Sequence, residues 1–208
     1  MVQSIIPGPN TNHFKVSAYI GRAGEPLAVF TLRKIRQCPT EFGVGTMVES
    51  VHYPELRDLG LQFFRRIGYR GIGSIEFKKD DRDGKLTMIE LNPRLWHQNG
   101  LAADCGMSFP LIQYLDLSGQ NPAPLTTFKE GVCWLDAMAD FQSFCDYHSR
   151  GELSVWSWLR SISRARSFTI FAPDDMGPFF SASQYGLKLL KGPRYAWRRR
   201  VWKVGADQ

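Results

Sequence analysis

The sequence predicts an α+β fold: an antiparallel β-sheet packed on helices, followed by a helical extension rich in aromatic and basic residues. Three observations predict it. Residues 14–32 and 74–91 each read as two alternating apolar and polar runs joined by a glycine-containing turn, the pattern of a β-hairpin. Residues 53–67 carry Leu56, Leu59, Phe63, Phe64 and Ile67 at helical spacing. Beyond the proline-containing stretch 121–127 the composition shifts toward tryptophan and arginine, which divides the chain into a lobe at 1–120 and an extension at 121–208.

In chain order, residues 1–8 form an apolar stub ending at Pro7-Gly8, and a loop through Asn10 and Asn12 follows. Phe14 to Ile20 is a strand, Gly21 to Glu25 a turn, and Pro26 to Leu32 the second strand, prolonged by Arg33 to Gln37. Cys38 to Gly45 is a loop holding Pro39, Gly43 and Gly45, and Met47 to Val51 is a short strand. In the helix at 53–67, Pro54 suits the first turn and Gly68 the end. Gly100 to Cys105 and Pro110 to Leu117 are helical. In the extension, Gly131 to Met138 reads as a strand and Asp140 to Arg150 as a helix. Leu153 to Ser163 is an amphipathic helix with Val155, Trp158, Leu159 and Ile162 on one side. Phe168 to Pro173 is extended, and Phe179 to Leu190 is helical.

The 208 residues are 43% apolar, enough for a packed core, which excludes global disorder. The net charge of +6 favours anionic partners. The excess is concentrated at 188–203, where Lys188, Lys191, Arg194, Arg198, Arg199, Arg200 and Lys203 have no acid among them. Interleaved with Tyr195, Trp197 and Trp202, this tail suits a solubilising end that contacts the domain. An anionic membrane surface comes second, and nucleic acid is disfavoured. Cys38, Cys105, Cys133 and Cys145 show no metal-type spacing, so they are expected as reduced thiols in a cytoplasmic protein. Neither a secretory leader nor a membrane span is expected.

The second hairpin carries the chemistry. A turn near Asp83 sets Glu76 directly across from Glu90. Met88, Glu90 and Asn92 are expected on the same face, and Ile89 and Leu91 on the apolar one. Two opposed carboxylates repel, so such a face either is well solvated or holds a cation. Asn92 adds an amide oxygen and Arg94 a cation beyond Pro93, a set suited to a divalent metal and phosphate.

The residues Ser74-Ile-Glu-Phe77, the Asp/Gly turn and Ile89-Glu-Leu-Asn-Pro-Arg94 resemble the C-terminal half of the ATP-grasp domain. The likeness covers roughly residues 3–117. It is closest to the carbamoyl-phosphate-synthetase-like branch of carboxylate–amine ligases and is also similar to biotin carboxylase. The resemblance implies that Glu76, Glu90 and Asn92 hold Mg2+ or Mn2+, two ions in all, against the phosphates of ATP. It further implies that Arg94 contacts phosphate or an acyl phosphate, with Lys34, and secondarily Arg36, as the basic residue facing that group. Gln3, Ser4 and Ile6 correspond to the hinge that hydrogen-bonds adenine, although Ser4 replaces the usual acid, and Asn10 or His13 reaches ribose. His97 is a minor candidate for general acid–base work.

The implied function is an ATP- and magnesium-dependent ligase joining a carboxylate to an amine or thiol through an acyl phosphate, this chain supplying the metal- and nucleotide-binding lobe. The sequence opens at the implied hinge, so the phosphate-holding lysines of the opposite wall are expected from the same gene product or a partner chain, unless the chain is a degenerate remnant. The alternative is a non-catalytic nucleotide-binding or interaction module, at a membrane surface through its tail. A homodimer stays open.

Overall fold

The computed structural model describes residues 4–172 and 174–181. Gln3, the helix expected beyond residue 181 and the basic tail lie outside the described residues. Residues up to Thr169 form one compact unit and those from Ile170 onward another. The expected boundary at 120/121 is therefore not where the compact unit ends. Two short segments of the extension, Cys133–Leu135 and Ala165–Phe168, join the sheet, and its first long helix is tied to the second strand by a buried ion pair.

The first unit is built on a sheet of seven strands, among the described residues: β1 (His13–Ile20), β2 (Pro26–Cys38), β3 (Val44–Ser50), β4 (Gly71–Lys79), β5 (Leu86–Asn92), β6 (Cys133–Leu135) and β7 (Ala165–Phe168). Their spatial order is β5-β4-β1-β2-β3-β6-β7. Every neighbouring pair is antiparallel except β6 with β7, so the sheet is mixed rather than wholly antiparallel. The two predicted hairpins are present and meet through β1 and β4. The last strand starts earlier than the expected extended segment at 168–173, because Ala165 and Ser167 alternate into the buried layer.

Period-two alternation distributes the core. Val16, Ala18, Ile20, Ile75 and Phe77 face α1 (Pro54–Arg66), which buries Leu56 and Phe64 against them. Each of the larger side chains, Ala18 apart, contributes about 1.5–3 kcal/mol by leaving water. The other face carries Tyr19, Phe30, Leu32 and Val48, which pack with Trp96, with α2 (Asn99–Asp104) through Leu101, and with α3 (Phe109–Leu117) through Phe109 and Ile112. Near the β3–β6–β7 edge, α4 (Ala137–Ser149) and α5 (Val155–Ile162) follow, each with a side-chain N-cap, Asp136 and Ser154 respectively.

In the second unit, Ala172 bridges Asp175, and Phe179 stacks edge-on against Phe171 and Phe180. Among the described residues no helix is long and apolar enough to cross a membrane.

Candidate functional site

The face of β4 that carries Ser74 and Glu76 continues across β1 as Lys15 and across β2 as Lys34, because the strands pair with Lys15 opposite Glu76. β5 completes this wall, with Glu90 directly opposite Glu76 and Asn92 opposite Ser74. The expected opposition of the two glutamates is therefore present. One residue differs. The ladder slips just after Glu76, so that Phe77 pairs with Met88 and Ile89 becomes the extra residue of a bulge. The slip turns Met88 to the apolar side, where it packs with the Ile75–Phe77 cluster. Ile89 takes its place beside Glu90 in the cleft.

That cleft has a volume of about 370 Å³ and gathers Lys15, Lys34, Glu76, Glu90, Asn92 and Arg94. The floor is Trp96 and Gln98, and one rim is the loop Phe42 to Gly45. Lys15 Nζ lies 2.9 Å from Glu76 Oε1, and Lys34 Nζ lies 3.9 Å from Oε2. Burial acts to raise the Glu76 carboxyl, but Lys15 and Lys34 outweigh it and hold the group below the usual carboxylate range. Burial pulls the Lys34 ammonium below its ordinary value, with Glu76 opposing. Lys34 also donates to Gln37 Oε1 at 3.0 Å and to the Gly43 carbonyl at 3.1 Å, which fixes its head at the loop.

Gly43 is needed for that loop. A Cβ there would fall 2.0 Å from the Pro39 carbonyl oxygen, inside contact distance of backbone. The loop is held from below by Gln98 Nε2, which donates to the Gly45 carbonyl at 2.8 Å. On β5 the Asn92 amide donates to Glu90 Oε1 at 2.6 Å, and Arg94 Nη2 reaches Asn92 Oδ1 at 3.4 Å. Beside this wall, a second hollow of about 420 Å³ is lined by Ser4, Ile6, His13, Phe42, Lys78 and Ile89. The hinge candidates Ser4 and Ile6 thus adjoin the charged cleft, with His13, Phe42 and Ile89 common to both.

His13 stands at that junction. Burial, then the ammonium groups of Lys34 and Lys78, push it down to about 4, against the opposing charge of Glu76. It is a neutral imidazole near pH 7, and its Nδ1 is buried without a protein hydrogen bond.

Three other candidates are placed differently. Arg36 does not share the face of Lys34. Lys34 pairs with Val48 and Arg36 with Met47, consecutive residues of β3, so a bulge at Ile35 turns Arg36 over. Its guanidinium is spent on Asp140 and Ser161, away from the cleft. Asn10 lines a larger cavity of about 580 Å³ with Tyr147 and Arg150, and its amide is taken up by the Thr40 carbonyl, the Tyr147 hydroxyl and Gln37. His97 reaches the cleft edge, where its Nε2 lies 3.4 Å from Asp136 Oδ2.

Sequence reasoning missed Lys15, Gln37 and Gln98. Lys15 carried a readable signal, a lone cation on the polar side of β1. Its partner, however, is set by a ladder between segments some 60 residues apart.

The chemistry of the donor set decides how a divalent cation fits. Glu90 offers carboxylate oxygens whose hydrogen-bonding neighbour is the neutral Asn92 amide, and Asn92 an amide oxygen 3.4 Å from Arg94 Nη2, with further positions left to phosphate oxygens and water, as Mg2+ prefers. Among the described residues no three His, Cys, Asp or Glu side chains form a preassembled cage. The Glu90–Asn92 end fits an ion completed by its ligand. The Glu76 end already faces two ammonium groups.

Residues 40–114 match the family described as carbamoyl-phosphate synthase L chain, ATP binding domain. The chain is 38% identical over 90 residues to the carbamoyl phosphate synthase large chain of Clavibacter michiganensis subsp. michiganensis, covering 43% of this chain and 8% of that one. It is 31% identical over 114 residues to the protein of the same description from Mycobacterium tuberculosis, covering 48% of this chain and 10% of that one. The match thus spans a tenth or less of these relatives' length. A superposition on the biotin carboxylase of Campylobacter jejuni gives a TM-score of 0.47 at 18% identity, over 60% of this chain and 29% of that one, too loose to carry weight. Glu76, Glu90, Asn92 and Arg94 lie inside the matched segment; His13, Lys15 and Lys34 precede it.

Proposed function

From a chain that carries part of an ATP-grasp domain of the carbamoyl-phosphate-synthetase-like kind, we propose that the Lys34–Glu76–Glu90 cleft binds ATP with magnesium and serves an ATP-dependent carboxylate ligase. The observation that carries the proposal is the facing pair Glu76 and Glu90, with Asn92, Arg94 and Lys34 in one cleft, inside or beside the matched segment.

The residues divide the work by position. Ser4 and Ile6 offer backbone groups to adenine from the adjoining hollow, and neutral His13 contacts the ribose side without adding charge. Glu90 and Asn92 would hold the cation, which when bound neutralises charge on the phosphoryl group in transit. Lys34, buried and fixed at the loop, faces the same phosphates. Arg94 binds the phosphate or acyl-phosphate group and stabilises charge when an amine or thiol attacks.

A second reading, a nucleotide-binding module without catalysis, is favoured by the Lys15–Glu76 ion pair, which balances the acid without a metal. ATP turnover separates the two. In an assay together with the segment or partner that carries the opposite wall, and with bicarbonate, an amino acid or another small carboxylate supplied, the ligase reading expects ADP release that Glu90→Ala lowers at least a hundredfold while the variant keeps its circular-dichroism spectrum. Turnover unchanged by Glu90→Ala overturns the assignment, and nucleotide binding without turnover under any of these carboxylates establishes the module.

A further inference from the structure

Lys15 stands beside Glu76, one of the two facing carboxylates of the cleft. Its Nζ is 2.9 Å from Oε1, and Lys34 stands 3.9 Å from Oε2, so both oxygens of this acid face ammonium groups. The pair is sheltered, with the Lys15 side chain only 12% exposed and that of Glu76 20%. The cross-strand register of β1 and β4 places the two residues directly opposite each other, so the contact is built by the sheet and not by a mobile tail. Glu90 differs. Among the described residues no lysine or arginine lies within ion-pair distance of it, its one side-chain hydrogen bond is from the Asn92 amide at 2.6 Å, and Lys34 feels its charge only from farther off.

A magnesium ion at bonding distance from Glu76 Oε1, about 2.1 Å, would lie against the Lys15 ammonium, like charge on like charge. Charge complementarity therefore separates the two carboxylates. One is already compensated by a fixed cation, and the other is left for a mobile one. We propose that the cleft takes a single divalent cation, on Glu90 and Asn92, and that the Lys15 ammonium is the permanent counter-charge of Glu76. This narrows the two ions implied by the family resemblance to one. It rests on the reading of the cleft as a cation–phosphate site. Lys15 acts through Glu76 and is a positioning residue. In this arrangement it keeps Glu76 aligned between Lys15 and Lys34 when the metal side is empty.

Counting bound Mn2+ by electron paramagnetic resonance on the full chain tests the proposal, with Mn2+ and ADP together as the probe and protein-free Mn2+–ADP as the reference. The wild type is expected to bind one ion per chain, and Glu90→Gln to weaken that binding at least tenfold. Lys15→Met is expected to admit a second ion, which the double variant Lys15→Met/Glu76→Gln removes again. Two ions in the wild type, or one ion still in a folded Lys15→Met, overturn the proposal and leave the cation–phosphate reading standing. Absence of ions from every variant overturns that reading as well. Should Lys15→Met fail to fold, the wild-type count and Lys15→Gln decide the matter.

Discussion

Arg36 on β2 and Asp140 on α4, 104 residues apart in the chain, are joined by two parallel hydrogen bonds of 2.8 Å from Nε and Nη2 to the two carboxylate oxygens. Both side chains are buried, and Trp158, Thr46 and Ser161 fill the remaining valences of the pair. This contact ties the first long helix of the extension to the sheet of the first compact unit. It also keeps Arg36 out of the Lys34–Glu76–Glu90 cleft.

Breaking a buried pair on one side strands the other charge, at about 3–5 kcal/mol. Asp140→Asn should therefore lower unfolding stability in urea by that amount, and Arg36→Met combined with Asp140→Leu should recover most of it. Mg-ADP affinity of the folded double variant should stay within twofold of wild type. A larger loss would return Arg36 to the nucleotide.

Gly43 connects loop shape to the cleft. A methyl group there meets the Pro39 carbonyl at 2.0 Å, so Gly43→Ala must shift the loop and with it the carbonyl that accepts from Lys34. The expected cost is about 1–3 kcal/mol of stability. Nucleotide affinity should fall several-fold, read by calorimetry. Unaltered affinity would show that the Lys34 head does not depend on this loop.

His13 sets a pH dependence. Its value in the folded chain, about 4, lies below the ordinary 6.5 because burial and then Lys34 and Lys78 disfavour the charged ring, against Glu76. Between those two values the unfolded chain binds the extra proton, so stability is present above about 6.5 and drains away as pH falls toward 4. Thermal melts across this range should show the loss, and His13→Gln should flatten it. A wild-type profile flat between pH 6.5 and 4 would mean that the ring is not held neutral.

What was legible in the sequence was local. Hairpins, the Glu76–Glu90 opposition and α1 follow from period-two and period-3.6 patterns within some twenty residues. Three things were not legible. Bulges at Ile89 and Ile35 each add one residue to a ladder and turn Met88 and Arg36 over; no propensity marks them. The Lys15–Glu76 contact depends on how two separate hairpins meet. Asp140 reads as an ordinary helix residue until the fold brings it to Arg36, which is why the expected boundary at 120/121 was drawn across a continuous packing unit.

The most direct test of the central claim is where nucleotide touches the chain. In a titration of Mg-ADP followed by amide chemical shifts, movements should concentrate at Gly43, Gly45, Glu76, Glu90 and Asn92, with Ser4 and Ile6 following on the adenine side, and Glu90→Gln should abolish those at β5. Shifts confined to the larger cavity of Asn10, Tyr147 and Arg150, or a spectrum unmoved at millimolar Mg-ADP, would contradict the account.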